Sequence, residues 1–213
     1  GSVYVTVGSG NSGSGGEFIL SGGDSAFVGA AGGRVVIKSG YGSSTASGDM
    51  LLSSPDSGTA GLSGFIALST GVTTEGNSGA FYVGTGTSVA GRGGSVYVTV
   101  GSGNSGSGGE FILSGGDSAF VGAAGGRVVI KSGYGSSTAS GDMLLSSPDS
   151  GTAGLSGFIA LSTGVTTEGN SGAFYVGTGT SVAGRGGSVY VTVGSGNSGS
   201  GGEFILSGGD SAF

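Results

Sequence analysis

The chain is expected to be all-β, a parallel β-solenoid, and three observations lead there. A 93-residue block repeats without a single change, a shorter unit of 15 to 17 residues recurs six times inside each block, and that unit carries a phased run of apolar residues between glycines. Copy 1 spans residues 1–93, copy 2 spans 94–186, and residues 187–213 begin a third copy. Tandem identity of this kind places the same surface at regular intervals along a line, the organisation of repeat arrays. The three stretches are therefore taken as one continuous array with no separate globular domains.

The short units begin near Gly15, Gly32, Ser47, Ser63, Ser78 and Gly93 and read GGEFILSGG, GGRVVIKSG, SGDMLLSSP, SGFIALSTG, SGAFYVGTG and GGSVYVTVG. Two columns of the aligned units are apolar throughout. One holds Val3, Phe18, Val35, Met50, Ile66 and Phe81, and the other, two places on, holds Val5, Leu20, Ile37, Leu52, Leu68 and Val83. Alternate residues of a strand face the same side, so the two columns are the expected core columns of one short strand. A helix fits less well, because the apolar runs are short and glycine bounds both ends. The column Gly8, Gly23, Gly40, Pro55, Gly71 and Gly86 supplies expected corner turns: glycine admits positive φ and proline pre-sets a turn dihedral.

Glycine makes up 56 of 213 residues, near the composition of low-complexity chains. The phased apolar residues and low charge nevertheless predict order, and order only as an array, because one unit cannot bury its own apolar face. The packing that joins like columns is a solenoid with ~15–16-residue coils, six per block, each ~4.8 Å above the last. Three 31-residue coils per block are the alternative, and antiparallel hairpins joined by Gly/Ser loops come third.

Two ladders follow from such stacking. Glu17, Arg34 and Asp49 share a column in successive units, an alternation of charge that is attractive on adjacent coils or else a product of chance. Between the core columns runs a stripe of Tyr4, Ile19, Val36, Leu51, Ala67 and Tyr82, continued at Tyr97. A continuous apolar stripe is the expected lateral contact with another copy, unless the chain's own second half covers it. Tyr82 and Tyr97 lie one unit apart and are expected to stack. Neither end carries a polar capping unit, which leads to the expectation of a longer array or end-to-end polymerisation.

Chemical motifs are sparse. Gly8, Gly10 and Gly13 spell the dinucleotide-binding GxGxxG, but no helix pattern follows and no Walker lysine appears. The sequence contains neither His nor Cys, which removes thiol and imidazole chemistry, disulfides and the common zinc sites. Five acids remain per block: Glu17, Asp24, Asp49, Asp56 and Glu75. Asp24 and Asp56 follow the corner column, where a short acid caps turns, and the GGxGxD calcium repeat is missing. No catalytic, cofactor or metal site is expected, and an enzyme is the least expected class. The net charge of −6 disfavours nucleic acid, and no apolar run is long enough to span a membrane. No signal peptide is visible, and Asn11 and Asn77 both lie outside glycosylation sequons.

The GGxVxVxxG-type units resemble the glycine- and serine-rich tandem arrays of β-solenoid proteins at microbial and algal cell surfaces, and the resemblance covers the whole chain. It implies a long extracellular or cell-surface filament, a structural material built by self-association of copies. The alternatives are an adhesin stalk recognising a glycan or mineral surface, and an ice-binding protein. The column Val7, Gly22, Ser39, Ser54, Thr70 and Thr85 is too uneven for a regular ice-binding threonine array.

Overall fold

In the computed structural model residues 1–211 are described; Ala212 and Phe213, the end of the partial third copy, lie outside the described residues. Among the described residues there is no helix and no strand. The expected all-β solenoid, whether of ~15–16-residue or 31-residue coils, is overturned, and with it the cross-β character of the expected filament. No backbone hydrogen bond among the described residues joins equivalent columns of successive units; the widest spans ten residues, from Gly33 N to Gly23 O. The chain is coil-like and divides into two units, Gly1–Gly109 and Glu110–Phe213.

Local order consists of a bend in each unit of the repeat and, at five of the six necks, a hydrogen-bonded clasp. The bends lie at 11–13, 27–29, 43–45, 59–61, 74–76 and 89–91, and recur one block later. They fall a few residues beyond the expected corner column of Gly8, Gly23, Gly40, Pro55, Gly71 and Gly86. Positive φ belongs to Gly29, Gly61 and Gly76 and to their counterparts Gly122, Gly154 and Gly169. At Gly29 the reason is explicit. Ala30 N donates to Phe27 O at 3.1 Å, and φ of +87° at the third position is that of a type II turn, which L side chains avoid.

The clasps close each loop at its neck. Gly16 N donates to Gly8 O at 2.9 Å, Gly33 N to Gly23 O at 2.7 Å and Gly48 N to Gly40 O at 2.9 Å. In two further units a hydroxyl takes over: Ser54 Oγ donates to Gly64 O at 2.8 Å and Thr85 Oγ1 to Gly94 O at 3.1 Å. At the remaining neck, a Cβ on Gly79 would sit 3.7 Å from Thr70 Cγ2, an ordinary contact with no bond. Beyond these necks the apolar segments carry no further backbone hydrogen bond to one another.

Magnitudes explain why the solenoid does not form in the single chain. Each unit offers three or so apolar side chains, worth ~1.5–3 kcal/mol apiece when fully buried. Every residue of the coil would have to be fixed against ~1–2 kcal/mol of backbone entropy, and glycine loses more than any other residue. The Gly/Ser/Thr half of the unit adds residues to be ordered without side chains to bury. Entropy prevails, and the chain exposes 21197 Å². A folded chain of 19.7 kDa would expose roughly 8,600 Å² and a fully extended one roughly 28,600 Å².

Replacing Gly33 with alanine should open its loop, because a Cβ there would lie 2.7 Å from Gly23 N. Loss of one net hydrogen bond, ~0.5–1.5 kcal/mol, corresponds to about 2- to 10-fold less protection of the residue-33 amide. Amide hydrogen exchange followed by NMR checks this; unchanged protection would remove the clasp.

Candidate interaction surface

Alternation along the apolar segments survives only as a difference in exposure. Val35 and Ile66 of the first expected core column are 46% and 49% exposed, whereas Leu51 and Tyr82 of the lateral stripe are 90% and 91% exposed. No hydrophobic residue is buried among the described residues. Val3, Phe18, Val35, Met50, Ile66 and Phe81, with Val5, Leu20, Ile37, Leu52, Leu68 and Val83, therefore line no core. They had been expected to face inward, but no second wall of chain lies against them.

Tyr4, Ile19, Val36, Leu51, Tyr82 and Tyr97 of the expected lateral stripe are each exposed. Glu17, Arg34 and Asp49 are each exposed, and the stacked coils on which their charges were to alternate are absent. Asp24, Asp56 and Glu75 are exposed as well. Among the described residues no three or more acidic, His or Cys side chains group so as to hold a metal ion, and no pocket is enclosed. No helix is long and apolar enough to cross a membrane.

What is sheltered is small. Gly22, Gly42 and Ser54, with Gly135 and Ser147 one block on, are the described residues that are half-buried rather than exposed. Most of them sit at or beside the clasps. A Cβ on Gly22 would run into the Gly33 carbonyl, one on Gly16 would lie 2.6 Å from Val7 Cγ1, and one on Gly94 would lie 3.0 Å from Thr85 Cβ. Gly42 is walled in by Thr45 and Ala46 carbonyls and donates its N–H to Ser47 Oγ at 3.3 Å. The hydroxyls of Ser54 and Thr85 are likewise engaged at their necks, which takes them out of any regular hydroxyl face.

Sequence reasoning missed the clasp although its signal was present. Gly16, Gly33, Gly48, Gly64, Gly79 and Gly94 form the one column of the aligned units that never varies. An invariant glycine beside a run that tolerates many apolar types marks a close backbone approach. The three closing hydroxyl or methyl partners, Ser54, Thr70 and Thr85, stand in a single column opposite it.

No family model, curated protein or solved structure matches this chain.

An unsheltered chain should be cut everywhere by a protease that reads aromatic and leucine residues. Dilute protein treated with chymotrypsin is expected to be cleaved after Phe81, Tyr82, Leu51 and their copies, leaving no resistant fragment. A stable fragment of one repeat would contradict the open surface.

Proposed function

We propose that this chain is a structural repeat segment of an extracellular or cell-surface material, a filament or matrix built by association of copies of the same repeat. The observation that carries the proposal is the exposure of every large apolar side chain described, in a sequence pattern that returns identically after each block. Apolar surface removed from water on association contributes roughly 25 cal/mol per Å² buried. A composition without thiol or imidazole chemistry supports the same reading.

Identical repeats suit this role. Two chains that meet through one segment hold their neighbouring segments at high effective concentration, so that weak contacts accumulate along the array. The net charge of −6 over 213 residues leaves little repulsion to oppose the approach. No enzymatic role is proposed, and the partner is the chain itself.

Association should depend on concentration and on the lateral stripe. Sedimentation velocity over a dilution series, with electron microscopy of the concentrated samples, is expected to show large assemblies appearing above a threshold. Chymotrypsin sites open in dilute protein should become protected there. Changing Ile19, Val36 and Leu51 to serine in every copy should raise the threshold at least tenfold, since one buried aliphatic side chain is worth ~1.5–3 kcal/mol and 1.4 kcal/mol is tenfold. A chain that stays monomeric at every concentration would overturn the proposal and bring the surface-binding stalk forward, tested with glycan and mineral surfaces.

A further inference from the structure

Seven tyrosines occur in the chain, and those of the first block and its successor are almost fully exposed: Tyr82 at 91% and Tyr97 at 84%. They are also the only side chains here that one-electron oxidation readily converts to radicals able to join covalently, because the sequence has no Cys and no Trp. Where they stand relative to the clasps is not uniform. Thr85 and Gly94 are the two sides of one neck, with Thr85 Oγ1 donating to Gly94 O at 3.1 Å. Tyr82 lies three residues before Thr85 and Tyr97 three residues after Gly94, so both arms of this neck carry tyrosine at the same distance from the closure. The second block repeats the arrangement at Tyr175 and Tyr190 around the Thr178–Gly187 clasp, again 3.1 Å. No other neck in the repeat has tyrosine on both arms. Tyr41 sits alone inside the loop that Gly48 N closes on Gly40 O.

From this placement we propose that Tyr82 and Tyr97, and likewise Tyr175 and Tyr190, are intramolecular oxidative cross-linking sites, joined by a haem peroxidase with hydrogen peroxide as oxidant. Each phenol gives up one electron and its phenolic proton, and one peroxide accepts both electrons and both protons to become two waters. The two phenoxyl radicals form a bond between ring carbons ortho to oxygen, and the two ring hydrogens displaced there move to the phenolic oxygens. The product is a biaryl staple across the neck. The inference does not depend on association between chains.

Chain statistics set the size of the effect. Tyr82 and Tyr97 are fifteen residues apart, while Tyr97 and Tyr134 are thirty-seven apart. Encounter frequency falls as about the −3/2 power of the connecting length, so spacing alone favours the first pair about fourfold. The clasp removes the loop from the path and leaves six residues of chain between the rings, which raises the encounter about fourfold again.

The experiment is peroxidase and hydrogen peroxide on the full chain at about 1 μM, where an effective concentration in the millimolar range outweighs intermolecular contact. Proteolysis and mass spectrometry then map the linked peptides. The expected result is Tyr82–Tyr97 and Tyr175–Tyr190 links in excess over links through Tyr41 or Tyr134. The paired change Thr85→Ala and Thr178→Ala should lower them about fourfold, and Tyr82→Phe with Tyr175→Phe should abolish them. Links dominated by Tyr41, or a yield that ignores the Thr→Ala pair, would overturn the assignment. Sedimentation velocity on the same diluted sample confirms that it is monomeric before peroxide is added, so the outcome stands apart from that of the assembly experiment.

Discussion

The structure depends on how closely two stretches of backbone can approach at the neck of each loop. At Gly33 the amide reaches the Gly23 carbonyl at 2.7 Å, and a methyl group on Gly33, or on Gly22 opposite it, would stand where the facing backbone runs, whereas one on Gly23 itself would meet open space. Glycine supplies that room and at the same time the largest backbone entropy of any residue. The same residue type therefore makes the clasp possible and keeps it weak. One hydrogen bond, ~0.5–1.5 kcal/mol net, holds a loop of eight to ten residues, and it does not propagate into a ladder on either side. Where the neck partner is Ser54 or Thr85, a hydroxyl reaching the opposite glycine carbonyl replaces the backbone donor, so the closure is kept while the chemistry of the bond changes.

Weak local closure explains the exposed surface. A clasp fixes the entry and exit of a loop but leaves the apolar segments between clasps without a partner, and in each segment the aliphatic and aromatic side chains face water on both sides. Val35 and Ile66 are about half exposed, whereas Leu51 and Tyr82 are almost fully exposed. The composition reinforces this outcome. With the Gly/Ser/Thr half of each unit contributing backbone to be ordered and almost nothing to be buried, the apolar half has no inner wall to pack against within its own chain.

Much of this was legible in the residues, and what was not has a physical cause. The block of 93 residues, its six units and their apolar columns are properties of the text itself, and the bend in each unit follows from its glycine-rich half. The solenoid was inferred from the same columns, on the assumption that like positions in successive units stack. Periodicity of side chains states which residues are equivalent; it does not state whether the equivalent residues touch. That question turns on the balance between side-chain burial and backbone entropy, and an alternation such as Phe18, Ile19 and Leu20 is the same whichever term prevails. The location of the bends was misjudged for a related reason. Gly8, Gly23 and Gly40 were given the corners because glycine admits positive φ, but a glycine that ends a run can equally serve as the acceptor of a closure whose bend lies farther on.

Exact repetition gives these weak elements their significance. A single segment with three exposed apolar side chains gains too little from one contact to hold two molecules together, since association itself opposes binding by several kcal/mol. Once one segment has met its counterpart, the next lies a fixed fifteen to seventeen residues away on both chains, and its contribution is no longer diminished by that initial loss. Copies that diverged in sequence would spoil the match after a few units, because the spacing of Ile19, Val36 and Leu51 would cease to agree between partners. Identity from one block to the next preserves it for any length and in any register that is a multiple of the block. On the proposed self-association, a chain too weak to order one unit by itself would order many units together, and the property that withholds a core from the isolated molecule is the one that leaves its surface available to another copy.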